Sequence, residues 1–228
     1  MQVVHEKDSL YQKTAEKLGQ LLSKFSSEKE KVVLGLPGGR SILPILNYLS
    51  KYPLDWKKIY VFIVDERLVP INHPASNFKL IKEGLSGIIP EENLNPFIIE
   101  DDEQISLKKY EEKIKQFEGF YDILVVSIGE DGHIGSLYPN HPSISNTSEY
   151  YILVEDSPKP PSRRMSMSAG MVLRSKACVV IVSGTQKKDA LSKYLDESLN
   201  YADCPAKLTL KITELFVFTD INLKSNNI

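Results

Sequence analysis

The chain has 228 residues, of which 42% are hydrophobic and 25% charged, a composition that excludes disordered, collagen-like and disulfide-stapled proteins and leaves room for a sizeable core. Its 28 Lys and Arg stand against 30 Asp and Glu, for a net charge of −2. No basic excess remains for a general nucleic-acid or membrane surface, so any bound anion must be held by a local cluster.

From Ser9 to Glu30, apolar residues at Leu10, Leu18, Leu21, Leu22 and Phe25 form one stripe and predict a helix, with Asp8 or Ser9 as its cap. Val32 to Leu36 is an apolar run ended by Pro37-Gly38-Gly39, and Ser41 to Ser50 reads as a helix: strand, glycine turn, helix. Ile59 to Val64 is apolar on both faces, as in a buried parallel strand, and stops at Asp65-Glu66-Arg67. A loop rich in Pro, Asn and His follows, then helices from about Ser76 to Leu85 and from Glu103 to Phe117. Asp122 to Ile128 is a third buried strand and runs into Gly129-Glu130-Asp131-Gly132-His133. Further strands are expected at Tyr151 to Val154, Ala177 to Ser183 and Leu215 to Thr219, and a helix near Gln186 to Asp196. Strands alternating with helices predict a single α/β domain over 1–228, an open and largely parallel sheet with helices on both faces. Ligands of such sheets bind beyond the carboxyl ends of the strands.

Cys178 and Cys204 are far apart and form no CxxC pair, so neither a zinc site nor a redox motif is expected, and a reducing compartment fits. The start, Met1-Gln2-Val3-Val4-His5-Glu6, lacks the pattern of a signal peptide, and no apolar run approaches the ~20 residues of a membrane span. The expectation is a cytoplasmic protein without membrane or nucleic-acid partners, metal or cofactor. Its oligomeric state is left open.

Three strand exits hold the unusual residues, and the central inference is that they converge. At Gly38-Gly39-Arg40-Ser41, two glycines let backbone amides approach a ligand, and the following helix turns its positive end toward the turn, which together make a phosphate cradle. An ordinary strand-to-helix turn has the same glycines. Asp131-Gly132-His133 sets a carboxylate two residues from an imidazole that titrates near neutral pH, an arrangement suited to a general base and its orienting group. An exposed turn histidine is the competing reading. Arg163 and Arg164 follow Pro160-Pro161 and precede Met165-Ser166-Met167-Ser168, an alternating stretch compatible with a strand, while Lys187 and Lys188 head the helix after Ala177 to Ser183. Guanidinium forks suit phosphate, although either cluster alone is equally a solvated loop.

In this order the motifs resemble 6-phosphogluconolactonases, the lactonase branch of a superfamily that also contains glucosamine-6-phosphate deaminases. The resemblance runs from about Val32 to Lys188. It rests on Asp65-Glu66-Arg67-Leu68-Val69-Pro70 with Ser76-Asn77 downstream, on Gly129 to Pro139, and on Pro160 to Ser168. It implies an open α/β sheet and hydrolysis of 6-phospho-D-glucono-1,5-lactone, a small sugar-phosphate lactone, in the oxidative pentose phosphate pathway. It further implies His133 as base and then acid, Asp131 as its support, and Arg67 or a loop N–H as oxyanion donor. Asp65 is assigned to substrate hydroxyls or to orienting Arg67, and Gly38, Gly39, Arg40, Ser41, Asn77, Arg164 and Lys187 to binding the phosphorylated substrate. The family's Gly-Gly-Ser-Thr-Pro turn reads Gly38-Gly39-Arg40-Ser41-Ile42 here, so only Ser41 and the backbone amides carry over. The deaminase branch has a glutamate just before the proline where this chain has Tyr138, and it lacks the continuation at Arg67 to Pro70. A sensor domain of sugar-responsive regulators needs a DNA-binding helix pair, for which the residues ahead of Val32 are too few.

Overall fold

Apolar runs that do not alternate are buried on both faces and belong inside a parallel sheet covered by helices. The computed structural model describes residues 1–222, and residues 223–228 at the end of the expected domain lie outside the described residues. The strands are β1 (Gln2–His5), β2 (Val32–Leu36), β3 (Ile59–Ile63), β4 (Asp65–Arg67), β5 (Leu94–Asn95), β6 (Ile123–Ser127), β7 (Tyr151–Val154), β8 (Arg164–Met167), β9 (Ala177–Val182) and β10 (Glu214–Thr219). The longer helices are α1 (Leu10–Glu28), α2 (Ile42–Leu49), α3 (Asn77–Gly84) and α4 (Glu103–Lys115), followed by the short α5 (Pro142–Ser145) and α6 (Ala169–Leu173) and by α7 (Lys188–Leu195).

Seven strands form one sheet in the order β1-β10-β9-β6-β2-β3-β5, and every neighbouring pair is parallel. Its two faces carry separate cores. Leu34, Leu36, Val61, Val125 and Val179 pack under α1, α2 and α3. Val33, Phe62, Val126 and Val180 face α4, α6, α7 and a second, antiparallel sheet of order β4-β8-β7. No helix among the described residues is long and apolar enough to cross a membrane.

From β2 the chain builds outward to β3 and β5 on one side, whereas β6, β9, β10 and β1 extend the other side. The strand order therefore reverses between β2 and β6, where the loops leave in opposite directions and open a crevice. Asp122 fastens this junction. Fully buried at the start of β6, it accepts Val33 N–H at 2.9 Å and Lys29 Nζ at 2.9 and 3.0 Å, with Lys176 Nζ 3.3 Å away.

Three differences from the sequence reading are local. β1 and β5 lie at the sheet edges and are too short and too polar to stand out as apolar runs. Asp65 to Arg67 is a strand of the second sheet rather than only the end of β3, because Val64 still donates to Leu36 C=O while its own carbonyl receives Met167 N–H at 2.6 Å. Ser9 occupies the cap position of α1, yet its hydroxyl bonds Glu6 Oε2 at 2.7 Å instead of a helix amide.

Replacing Asp122 with Ala removes a buried carboxylate that satisfies one amide and two ammonium groups. It is expected to lower the unfolding free energy by about 2–3 kcal/mol, read as a lower urea midpoint; an unshifted midpoint would show that the junction does not depend on it.

Candidate active site

The loops after β2, β3, β6 and β9 converge on one cleft. Its larger part, about 620 Å³, is lined by Gly38 to Ser41, Arg67, Gly129, His133, Lys159, Arg164, Gly184 and Lys187, among others. A smaller recess of about 170 Å³ continues inward past Asp65, Asn77 and Gly135. The residues assigned a catalytic or binding role in the sequence meet here except Asp131, which stands behind His133; of the neighbouring cations, Arg163 pairs with Glu103 at 2.7 Å and neither it nor Lys188 lines the cleft.

Gly39 has φ +94°, a backbone conformation that requires glycine, and its turn delivers Ser41 to the start of α2. The Ser41 side chain makes no capping hydrogen bond. Arg40 is exposed at the rim. Gly38 is needed for a different reason: the Asn77 side chain lies where a Cβ would be, 1.8 Å from the Asn77 Oδ1 position. Asn77 Nδ2 in turn donates to Asp65 C=O at 2.7 Å and to Oδ1 at 3.3 Å, so this amide ties the glycine turn to β4.

Asp65 is only 6% exposed; its Oδ2 accepts Ser136 Oγ at 3.2 Å and lies 3.8 Å from the Arg164 guanidinium. It thus faces Arg164 rather than Arg67. Antiparallel pairing sets Arg67 directly opposite Arg164 across β4 and β8. Arg164 donates from Nε to Pro161 C=O at 3.0 Å and from its NH2 group to Lys159 C=O at 2.9 Å, which fixes the guanidinium. Arg67 is anchored through one bond, to Ala75 C=O at 2.7 Å, and its Nε has no partner among the described residues.

Glu66, quoted within the motif but given no role, is the organiser of this corner. Its buried carboxylate accepts Arg67 N–H and Asn77 N–H on one oxygen at 2.7 and 2.8 Å, and Ser76 Oγ and Phe78 N–H on the other at 3.0 and 2.8 Å. It caps the first turn of α3, where the helix dipole favours an anion. Burial raises its carboxyl above the ordinary value, opposed by these hydrogen bonds.

His133 Nδ1 is hydrogen-bonded to Asp131 Oδ1, and no described residue bonds Nε2. The ring lies over Gly129, where a Cβ would fall 1.9 Å from His133 Cε1. Gly132, at φ +95°, completes the turn, with Cys204 and Ala206 packed beneath it; Ala206 N–H donates to Gly132 C=O at 3.0 Å. Burial would push the Asp131 carboxyl up, but the hydrogen bond and charge of His133, with Lys159 3.9 Å away, hold it well below the usual carboxylate range. Lys187 Nζ donates to Ser127 Oγ at 3.0 Å, and burial, helped by the nearby charges of Lys159 and Arg40, lowers its pKa. Tyr11, Ser127, Glu130, Lys159, Ser183 and Gln186 also line the cleft and were given no role in the sequence reading: Glu130, Lys159 and Gln186 stand inside or beside the quoted motifs, and nothing in their residue type shows that they face the cleft. Among the described residues no group of three or more His, Cys, Asp or Glu is placed to hold a metal ion.

This geometry defines a class, the α/β enzymes that work at the switch point of a parallel sheet. Comparison with known proteins narrows it. Residues 5–217 match the family described as glucosamine-6-phosphate isomerases/6-phosphogluconolactonase, and the chain belongs to that family. It is 33% identical over 202 residues to a 6-phosphogluconolactonase of Borreliella burgdorferi, covering 85% of this chain and 86% of that one. A chloroplastic 6-phosphogluconolactonase 3 of Arabidopsis thaliana is 29% identical over 219 residues, covering 88% and 66%. The crystal structure of 6-phosphogluconolactonase from Thermotoga maritima has the same fold, with a TM-score of 0.86 at 24% identity over 96% of this chain and 98% of that one.

Two outcomes are expected. Gly129→Ala puts a methyl group where the imidazole lies and should abolish activity while leaving the sheet folded, as read by far-UV circular dichroism alongside an assay. The depressed Asp131 carboxyl stabilises the fold above its ordinary value of 3.8, and that contribution is lost as pH falls through the lower folded value. The difference in melting temperature between the native protein and Asp131→Asn should therefore be largest near neutral pH and shrink in acid; a difference that grew in acid would contradict the assignment.

Proposed function

We propose that this chain hydrolyses 6-phospho-D-glucono-1,5-lactone to 6-phospho-D-gluconate, the second step of the oxidative pentose phosphate pathway, in the cytoplasm. The observation that carries the reading is the His133 ring, held through Nδ1 by Asp131, with Nε2 bonded by no described residue beside a cleft whose walls include the glycine-turn backbone and the cations Arg40, Arg67, Lys159, Arg164 and Lys187.

In this mechanism Nε2 takes a proton from water as the water oxygen attacks the lactone carbonyl. The carbonyl π electrons move onto oxygen, and the oxyanion is stabilised by donors that Arg67 has not spent on Ala75. Such donors contribute about 2.7–4 kcal/mol each in other enzymes. Collapse of the tetrahedral intermediate breaks the bond to the ring oxygen, which takes the proton back from His133 and leaves as the product hydroxyl. Asp131 keeps the proton of the neutral imidazole on Nδ1 and stabilises the imidazolium between the two steps. The 6-phosphate is received by the Gly38 to Ser41 amides, the Ser41 hydroxyl, Arg40, Arg164 and Lys187. A dianion there restores the charge that burial disfavours on Lys187, and its remote binding aligns the carbonyl with the water. Asp65 acts through Arg164, and Asn77 by holding the glycine turn against β4.

Deaminase chemistry is not favoured. The position of that branch's glutamate is taken by Tyr138, a buried ring packed at a tilt against His133.

The test is to follow lactone opening with freshly made substrate, corrected for the spontaneous rate, using native protein and His133→Ala. Turnover should fall by at least ~10²-fold in the variant while 6-phosphogluconate still binds, and the unphosphorylated lactone should be a much poorer substrate. Unchanged turnover would remove His133 from the mechanism. Equal use of both lactones would remove the phosphate site.

A further inference from the structure

The wall behind the catalytic imidazole is also a structural tie to the opposite side of the cleft. Tyr138 is 1% exposed, and its ring centroid lies 5.0 Å from that of His133 at an interplanar angle of 41°. Its far side meets His141 edge-on at 5.7 Å. A phenol this deeply buried needs a partner for its hydroxyl, and Tyr138 Oη finds it in Ser157 Oγ at 2.8 Å.

Ser157 Oγ is a junction. It receives Lys159 N–H at 3.2 Å and lies 3.0 Å from Lys159 C=O. A serine hydroxyl has one proton; when that proton goes to the Lys159 carbonyl, Tyr138 supplies its own to Ser157. The same Lys159 carbonyl also accepts the Arg164 NH2 group at 2.9 Å. Arg164 reaches Asp65, which accepts Ser136 Oγ, and Ser136 stands two residues before Tyr138. The loop that carries His133 and the turn that carries Lys159 and Arg164 are thus joined twice, through Ser136–Asp65–Arg164 and through Tyr138–Ser157–Lys159.

We propose that the Tyr138 hydroxyl is a positioning residue for substrate binding: through Ser157 it sets the Lys159 to Arg164 turn against the His133 loop, so that the cations of the turn and the base meet one ligand at a fixed spacing. Its ring, by contrast, backs the imidazole. The two parts of one side chain therefore act on different kinetic constants. The inference rests on the lactonase reading, whose own test is the turnover of the native protein.

Tyr138→Phe keeps the ring and deletes the hydroxyl. The expected result is a KM for the phosphorylated lactone and a Kd for 6-phosphogluconate that both rise by roughly three- to tenfold, the range for one lost hydrogen bond, while kcat falls less than twofold. Ser157→Ala should do the same. Because both variants cut one connection, the double variant should be no worse than the poorer single one, instead of showing the product of two independent effects. Native KM and Kd in Tyr138→Phe, equal losses in kcat and binding, or multiplicative effects in the double variant would each overturn the proposal. A role confined to stability would lower the melting temperature and leave KM, Kd and kcat unchanged, which also overturns it. If the native protein fails to open the lactone, it is the lactonase reading that falls, and Kd for 6-phosphogluconate in the single and double variants still decides the Tyr138 connection.

Discussion

The structure depends on the reversal of strand order between β2 and β6. In a parallel sheet every loop at the carboxyl edge leaves toward one face or the other, and only where the order reverses do two adjacent loops diverge and leave a crevice between them. Gly38 and Gly39 follow one of these strands, and Gly129 to His133 follow the other. The direct pairing of β2 with β6 is short, Leu34 with Ile123 and Gly35 with Leu124, and Asp122 reinforces it by bonding Val33 and Lys29. A buried carboxylate with that many donors costs desolvation energy that its hydrogen bonds must offset. Here it holds together the two strands whose exits form the cleft.

A second constraint acts on charge. The protein as a whole is nearly neutral, yet Arg40, Arg67, Lys159, Arg164 and Lys187 line one cavity. Like charges at close range repel, and the fold tolerates them because the partly buried Arg67 and the buried Arg164 are tethered to backbone carbonyls, Arg67 to Ala75 and Arg164 to Lys159 and Pro161. The carboxylates Asp65, Glu66 and Asp131 form the layer behind, each holding a donor group in place. The result is a site in which Arg67, Arg164 and Lys187 are held before a ligand arrives, which leaves less ordering to oppose binding.

Much of this was legible in the sequence. The buried strands Val32–Leu36, Ile59–Ile63 and Ala177–Val182 appear as unbroken apolar runs because both of their faces are covered. The Asp131-Gly132-His133 turn was legible because the two partners are two residues apart and the bond between them is local. The edge strands β1 and β5 were not, since β1 is four residues long and mostly exposed and β5 is a buried Leu94-Asn95 pair too short to form such a run. Glu66 was visible as a letter and not as an organiser, because three of the groups that it binds lie at Ser76, Asn77 and Phe78, beyond a loop whose path the sequence does not reveal. Lys159 and Ser157 left no signal at all: a lysine and a serine in a proline-rich turn have the composition of any exposed loop.

By itself the sequence determined the parallel α/β architecture, the glycine turns and the local acid–imidazole pair, since apolar periodicity, φ requirements and short-range hydrogen bonds are all properties of contiguous residues. Tertiary structure decided which distant groups share a wall. Only the pairing of β4 with β8 sets Arg67 opposite Arg164 and turns Asp65 toward the latter, and only the folding of the 157–164 turn against the His133 loop gives Tyr138 its partner. Those contacts join residues far apart in the chain, and nothing in the composition around either end specifies the other.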